Sequence, residues 1–147
     1  PGQRGPAMIP GTLDAAAGEA KLNNPLCGDR VRMQVALDAG RIEAIAHETK
    51  GCLLCRAAAS LLGARAAGMD AAAVEAVSGE LDAMLKGAAP IPAAWPELAM
   101  FAPARAHPSR HRCVLLPFRA LIEAMRAAGA KVGAGDTANA AGVHGET

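Results

Sequence analysis

From Val31 to Leu37 apolar and polar positions alternate: Val31, Met33, Val35 and Leu37 on one side, Arg32, Gln34 and Ala36 on the other. A period of two predicts a strand with one buried face. Asp38-Ala39-Gly40 reads as a tight turn. Arg41 to Glu48 then continues as a second strand, with Ile42, Ala44 and Ala46 set against Glu43 and Ile45, so the two strands form an antiparallel hairpin. Gly51 lets the chain turn sharply after Lys50. The pattern then becomes helical. Leu53 to Ala67 is rich in strong helix formers and stops at Gly68. Short helices are expected around Asp70–Val77 and Glu80–Lys86, a proline-rich loop over 88–96, and another short helix around Trp95–Phe101. A final helix over Arg112–Ala128 places Leu115, Phe118, Leu121, Ile122 and Met125 toward a core.

The two ends carry no such periodicity. Residues 1–22, with Gly2, Gly5, Pro6, Pro10 and Gly11, read as an irregular N-terminal arm, with at most a short helical turn near Leu13 to Ala20. Pro1 in place of Met points to a natural N-terminus upstream. Residues 23–128 form the expected domain, and 129–147 a mobile C-terminal tail. A single domain also suits the length of 147 residues.

Composition narrows the function classes. Half of the chain is apolar (52%), but much of that is alanine, and the aromatics are Trp95, Phe101 and Phe118. Fifteen basic residues against fourteen acidic ones give a net charge of +1, which offers no field for nucleic acid and no polybasic membrane patch. With no apolar run of membrane-spanning length and no leader pattern, the expected location is the cytoplasm. Four cysteines in a reducing compartment point to metal ligands or reactive thiols rather than disulfides.

Three of those thiols stand at the ends of regular elements. Cys27 lies among loop formers in Asn23-Asn24-Pro25-Leu26-Cys27-Gly28-Asp29-Arg30, with the Asp29 carboxylate two residues on. Cys52 follows Gly51 at the start of a helix, where the dipole favours thiolate. Cys113 follows Arg110-His111-Arg112 at the start of the last helix, a setting for a partly exposed thiol. Three thiols and a carboxylate make a full ligand set for a tetrahedral metal ion or a small iron–sulfur cluster. Each has a plainer alternative: a lone cysteine is often a small buried hydrophobe, and Asp29 could cap a turn or pair with Arg30. Cys52-Leu53-Leu54-Cys55 has CxxC spacing, but no second CxxC and no thioredoxin-like pattern accompany it, so Cys55 reads as a core residue. His47, His107, His111 and His144 show no metal-ligand spacing of their own, although His111 is close in sequence to Cys113.

With these residues in place, the chain resembles the U-type iron–sulfur cluster assembly scaffolds (IscU, the NifU N-terminal domain, SufU). The likeness runs from Asn23 to about Ala124. It rests on Asn24-Pro25-Leu26-Cys27-Gly28-Asp29, on Gly51-Cys52 with the following Ala57-Ala58-Ala59-Ser60, and on Pro108 through Cys113. The long interval from Cys52 to Cys113 and the pattern Arg110-x-x-Cys113 resemble the SufU branch; Arg112 stands where IscU-type chains have histidine. Cys55, and Pro117 one turn after Cys113, depart from the family pattern.

The resemblance implies an α+β, SufE/NifU-like fold in which a small antiparallel sheet of about three strands is covered on one face by several helices. The third strand would lie in the N-terminal arm or be absent. It implies Cys27, Asp29, Cys52 and Cys113 as ligands of a zinc ion or an iron–sulfur cluster of the 2Fe–2S type. Cys113 would be the sulfur acceptor, with Arg110 and His111 in a second shell around it. The implied function is a scaffold and sulfur carrier more than a true enzyme, receiving persulfide sulfur from a SufS-like cysteine desulfurase and serving downstream cluster or sulfur acceptors. A zinc-dependent sulfurtransferase that builds no cluster, and a structural zinc-binding interaction domain, are the alternatives.

Overall fold

The computed structural model describes residues 8–10, 18–25 and 28–129. Strands β1 (Met8–Pro10), β2 (Gly18–Asn24), β3 (Asp29–Asp38) and β4 (Arg41–Lys50) precede helices α1 (Leu53–Arg65) and α2 (Ala71–Leu85), a 3-10 helix (Pro96–Ala106) and α3 (Pro108–Ala127). The sheet order is β1-β4-β3-β2. β2, β3 and β4 form an antiparallel meander, and short β1 joins parallel to β4. This is the expected α+β architecture, with the third antiparallel strand supplied by residues 18–24 rather than an irregular arm. Met8–Pro10 likewise form a strand in the expected irregular arm, while residues 1–7 and 11–17, Leu26 and Cys27, and the tail beyond Gly129 lie outside the described residues.

β2 escapes a periodicity reading because its inward residues are Gly18, Ala20, Leu22 and Asn24, with a single large hydrophobe among them. Gly18 is glycine for a packing reason: a Cβ there would overlap the backbone of Ala124 and Ala128 at the end of α3. The hairpin forms as its alternation predicts, with Val31, Met33 and Val35 buried. β4 differs from the simple alternation. The register slips between Ala36, paired to Ala44, and Leu37, paired to Ile42, so Glu43 is the extra residue of a bulge. One extra residue reverses the parity of the strand, which brings Ile45 as well as Ile42 into the core.

α1 begins where the sequence places it, with Cys52 as its extended N-cap. α2 is one helix rather than two. Gly79 does not end it, because Val74, Val77, Leu81, Met84 and Leu85 form one buried face across that position, and Asp70 caps its start by accepting from the Ala73 N–H at 2.9 Å. The segment predicted as a short helix around Trp95 is a longer 3-10 helix, in which Leu98, Phe101 and Ala104 recur every three residues on its buried side. α3 starts at Pro108, four residues before the predicted boundary, with proline at a favourable first position. It continues through Pro117, whose ring is buried and which has no N–H to give the Cys113 carbonyl. The core lies between the inner face of the sheet and the helices. Phe118 on α3 meets Trp95 there at a centroid distance of 6.1 Å and a tilt of 55°, and the Arg65 guanidinium lies over the Trp95 ring, 5.0 Å from its centroid.

Candidate metal centre

Three elements end at one corner: the β2–β3 turn, the β4–α1 junction and the first two turns of α3. In that turn Asn24 pairs in register with Asp29, and the Gly28 N–H donates to the Asn24 carbonyl at 2.8 Å. Strand alternation turns Arg30 outward to solvent and Asp29 inward, where it is fully buried. Asp29 therefore does not pair with Arg30. Its Oδ1 accepts the backbone N–H of Cys52 at 2.8 Å, and its Oδ2 lies 3.5 Å from Cys52 Sγ. Gly51 makes this approach possible, since a Cβ at that position would occupy the space of the Asp29 carboxylate. The glycine that reads from sequence as a turn residue is also the floor under the carboxylate.

The third group comes from α3. One ligand atom each from Asp29, Cys52 and Cys113 all lie within 4.8 Å of one another. Cys113 is not the partly exposed thiol expected of a helix start. Because α3 begins at Pro108, it is the sixth helical residue, on the inner side and only 3% exposed. Asn24, buried at the end of β2, directs its Nδ2 at Cys113 Sγ at 3.9 Å. Asn24 is a site residue that the sequence motif contained but that no ligand chemistry singled out.

The donor set fits a metal ion. A buried carboxylate normally needs a cation beside it, and among the described residues Asp29 has no ion-pair partner. Two sulfurs and a carboxylate oxygen suit zinc or iron. In a tetrahedral zinc site neighbouring sulfur and oxygen ligands stand about 3.5 Å apart, the separation found between Cys52 Sγ and Asp29 Oδ2. A metal held here would take the place of the contact between Cys52 Sγ and Asp29 Oδ2.

The other candidates divide clearly. Cys27 lies outside the described residues; its described neighbours in sequence, Asn24 and Asp29, each touch one of the two clustered thiols. Cys55, three residues after Cys52, is fully buried in the hydrophobic core and takes no part in the cluster. His111 is turned to the 3-10 helix, where its Nε2 contacts the carbonyls of Ala104 at 3.1 Å and Arg105 at 3.4 Å. Arg110 is exposed. His47 is on β4, with Nδ1 3.0 Å from Thr49 Oγ1 and no described partner for its buried Nε2, and it does not join the metal group.

Comparison with known proteins bears on this geometry. The family model for the NifU-like N terminal domain matches residues 8–102. The chain belongs to the NifU-like N-terminal domain family. The match includes Cys27, Asp29 and Cys52 and stops short of Cys113. The chain is 31% identical to the iron–sulfur cluster assembly scaffold protein IscU of Streptococcus pyogenes serotype M1, over 79% of this chain and 73% of that protein. It is 33% identical to the zinc-dependent sulfurtransferase SufU of Bacillus subtilis over a shorter stretch, 45% of each chain. Among solved structures, a nitrogen-fixing NifU-like N-terminal protein from Brucella abortus superposes with a TM-score of 0.76 at 27% identity, covering 84% of this chain and 85% of that one. A putative SUF-system scaffold, SufU of Fervidobacterium islandicum AW-1, gives 0.72 at 22% identity over 78% and 85%, a likeness of fold. No helix among the described residues is long and apolar enough to cross a membrane.

Proposed function

We propose that this chain is an iron–sulfur cluster assembly scaffold and sulfur acceptor whose working site is Cys27, Asp29, Cys52 and Cys113. The observation that carries the reading is the buried Asp29 carboxylate, grouped with the Cys52 and Cys113 thiols and without an ion-pair partner among the described residues. Membership of the NifU-like family and the IscU relative support it. The carboxylate is the harder and more labile ligand of the set, which suits a site that must release what it holds. Zinc, where bound, would keep the thiols deprotonated and the corner ordered. The cargo of the scaffold is a cluster of the 2Fe–2S type.

Sulfur arrives as a persulfide on a SufS-like cysteine desulfurase. The Cys113 thiolate attacks the terminal sulfur, the donor's S–S bond breaks, and the electron pair leaves on the donor's cysteine thiolate. A new S–S bond to Cys113 forms with no net oxidation. Asn24 steadies the Cys113 sulfur through its amide, while Arg110 and His111 sit one turn or less before it on α3. The SufU relative, named a zinc-dependent sulfurtransferase, favours a second reading in which sulfur is relayed and no cluster is built.

Anaerobic reconstitution with iron, cysteine and a SufS-type desulfurase separates these readings. A coloured, visibly absorbing product on the chain is expected for the scaffold. Desulfurase stimulation by the zinc-loaded chain, with no coloured product under iron, would establish the relay instead. Neither product nor stimulation would reduce the site to a structural zinc centre.

A further inference from the structure

The chain is almost neutral overall, yet its cations are unevenly placed around the site. Two clefts flank the free edge of the meander. One, of about 620 Å³, is lined by Leu22, Asn23, Asn24, Pro25, Arg112, Leu116 and Arg119. The other, of about 370 Å³, includes Arg30 and Lys50 and shares Leu22 and Asn23 with the first, so the two meet at the end of β2. Cross-strand register sets Asn23, Arg30 and Lys50 in one row at the end of the sheet nearest Asp29. Arg112 and Arg119 are seven residues apart, two turns and about 10 Å along α3.

All four cations are exposed, and among the described residues none has an ion-pair or side-chain hydrogen-bond partner. The acidic residue in these clefts, Glu48, is held by Arg32 at 3.2 Å. Arg32 and Lys21 are in turn drawn to Glu19, at 3.1 and 3.9 Å. Four positive charges without a partner among the described residues therefore form a band around the β2 edge. The band reaches the site through Asn24, which lines the larger cleft and touches Cys113 Sγ, and through Arg112, the residue before Cys113.

We propose that this band is the docking surface for an acidic segment of the sulfur-donating protein, seated so that its persulfide-bearing cysteine faces the Asp29–Cys52–Cys113 corner. The inference rests on the sulfur-acceptor reading. Carboxylates of the donor would take the place of water at four guanidinium and ammonium groups, giving orientation and a salt-sensitive encounter without touching the metal ligands. The lining of the larger cleft adds the apolar side chains of Leu22 and Leu116 to its two arginines.

The test uses the full chain and a SufS-type desulfurase, measuring binding by fluorescence anisotropy and sulfide release by turnover. The double variant Arg112→Glu/Arg119→Glu and, separately, Arg30→Glu/Lys50→Glu are compared with Lys86→Glu, which lies outside the band. Each double reversal should raise the Kd and the KM for the chain roughly tenfold and flatten the salt dependence, with kcat close to wild type. Lys86→Glu should change neither, and zinc content should be the same in all. Wild-type Kd, KM and salt dependence in both double variants would overturn the docking surface while leaving sulfur acceptance intact. Charge-dependent binding without stimulation would keep the surface and remove sulfur acceptance. No binding by the wild-type chain would remove both.

Discussion

The site corner and the apolar layer beneath it are built on opposite principles. In the layer between sheet and helices, Met33, Ile45, Leu81, Met84, Phe118 and Leu121 are fully buried and meet other apolar groups, so burial itself is the stabilising term. In the corner a carboxylate and two thiols are brought together out of water, and Gly51 gives up a side chain to admit them. Burial there costs free energy that a bound cation can offset. Cys52 and Cys55 show the divide within one helical turn. The first is the N-cap and faces Asp29; the second is already core. The same residue type three positions apart serves chemistry in one region and packing in the other.

The sharpest break between the regions should come from the core. Phe118→Ala removes the ring that meets Trp95 and should cost about 3–5 kcal/mol in chemical denaturation. Zinc binding by the fraction that remains folded should be unchanged. Gly51→Ala reverses this balance. Its Cβ meets the Asp29 carboxylate and must displace it, so we expect a loss of about 2 kcal/mol. The diagnostic outcome is that adding zinc raises the thermal midpoint of the wild-type chain far more than that of the variant.

The smallest expected effect concerns His47, on the sheet but outside the corner. Burial of its ring lowers the pKa below the usual 6.5. The neutral imidazole is the form the fold accommodates, so its contribution to stability is present above pH 6.5 and is lost as pH falls from there through the lowered pKa. Metal-free wild type should thus lose more of its thermal midpoint on mild acidification than metal-free His47→Gln. Equal losses would place the acid sensitivity elsewhere.

The hairpin, α1 and the apolar face of α3 were legible because their signals are periodic, whereas α2 was split at Gly79 by a local signal that its continuous buried face overrides. Val31 to Leu37 alternates without interruption, and the apolar face of α3 follows from Leu115, Phe118, Leu121, Ile122 and Met125. What escaped was set by contacts distant in sequence. β2 has too few large hydrophobes to announce a strand and is fixed by β3 and by the close approach of α3 to Gly18. The bulge at Glu43 is visible only in the pairing. In the corner, Asp29, Cys52 and Cys113 could be chosen from chemistry and turn context, and the structure brings them together. Asn24 could not, because an amide is no ligand, and its role depends on a partner 89 residues away. The burial of Cys113 was hidden by the position of the helix start, which Pro108 marks better than the first long apolar run does.

On the proposed reading, the thiols at the corner hold a metal and the thiol in the core does not. Zinc content per chain, measured after purification and dialysis against a weak chelator, tests it directly for Cys52→Ser, Cys113→Ser and Cys55→Ser beside the wild type. The account predicts about one zinc in wild type and in Cys55→Ser, and large losses in the other two. Loss of zinc from Cys55→Ser with full retention in Cys113→Ser would contradict it.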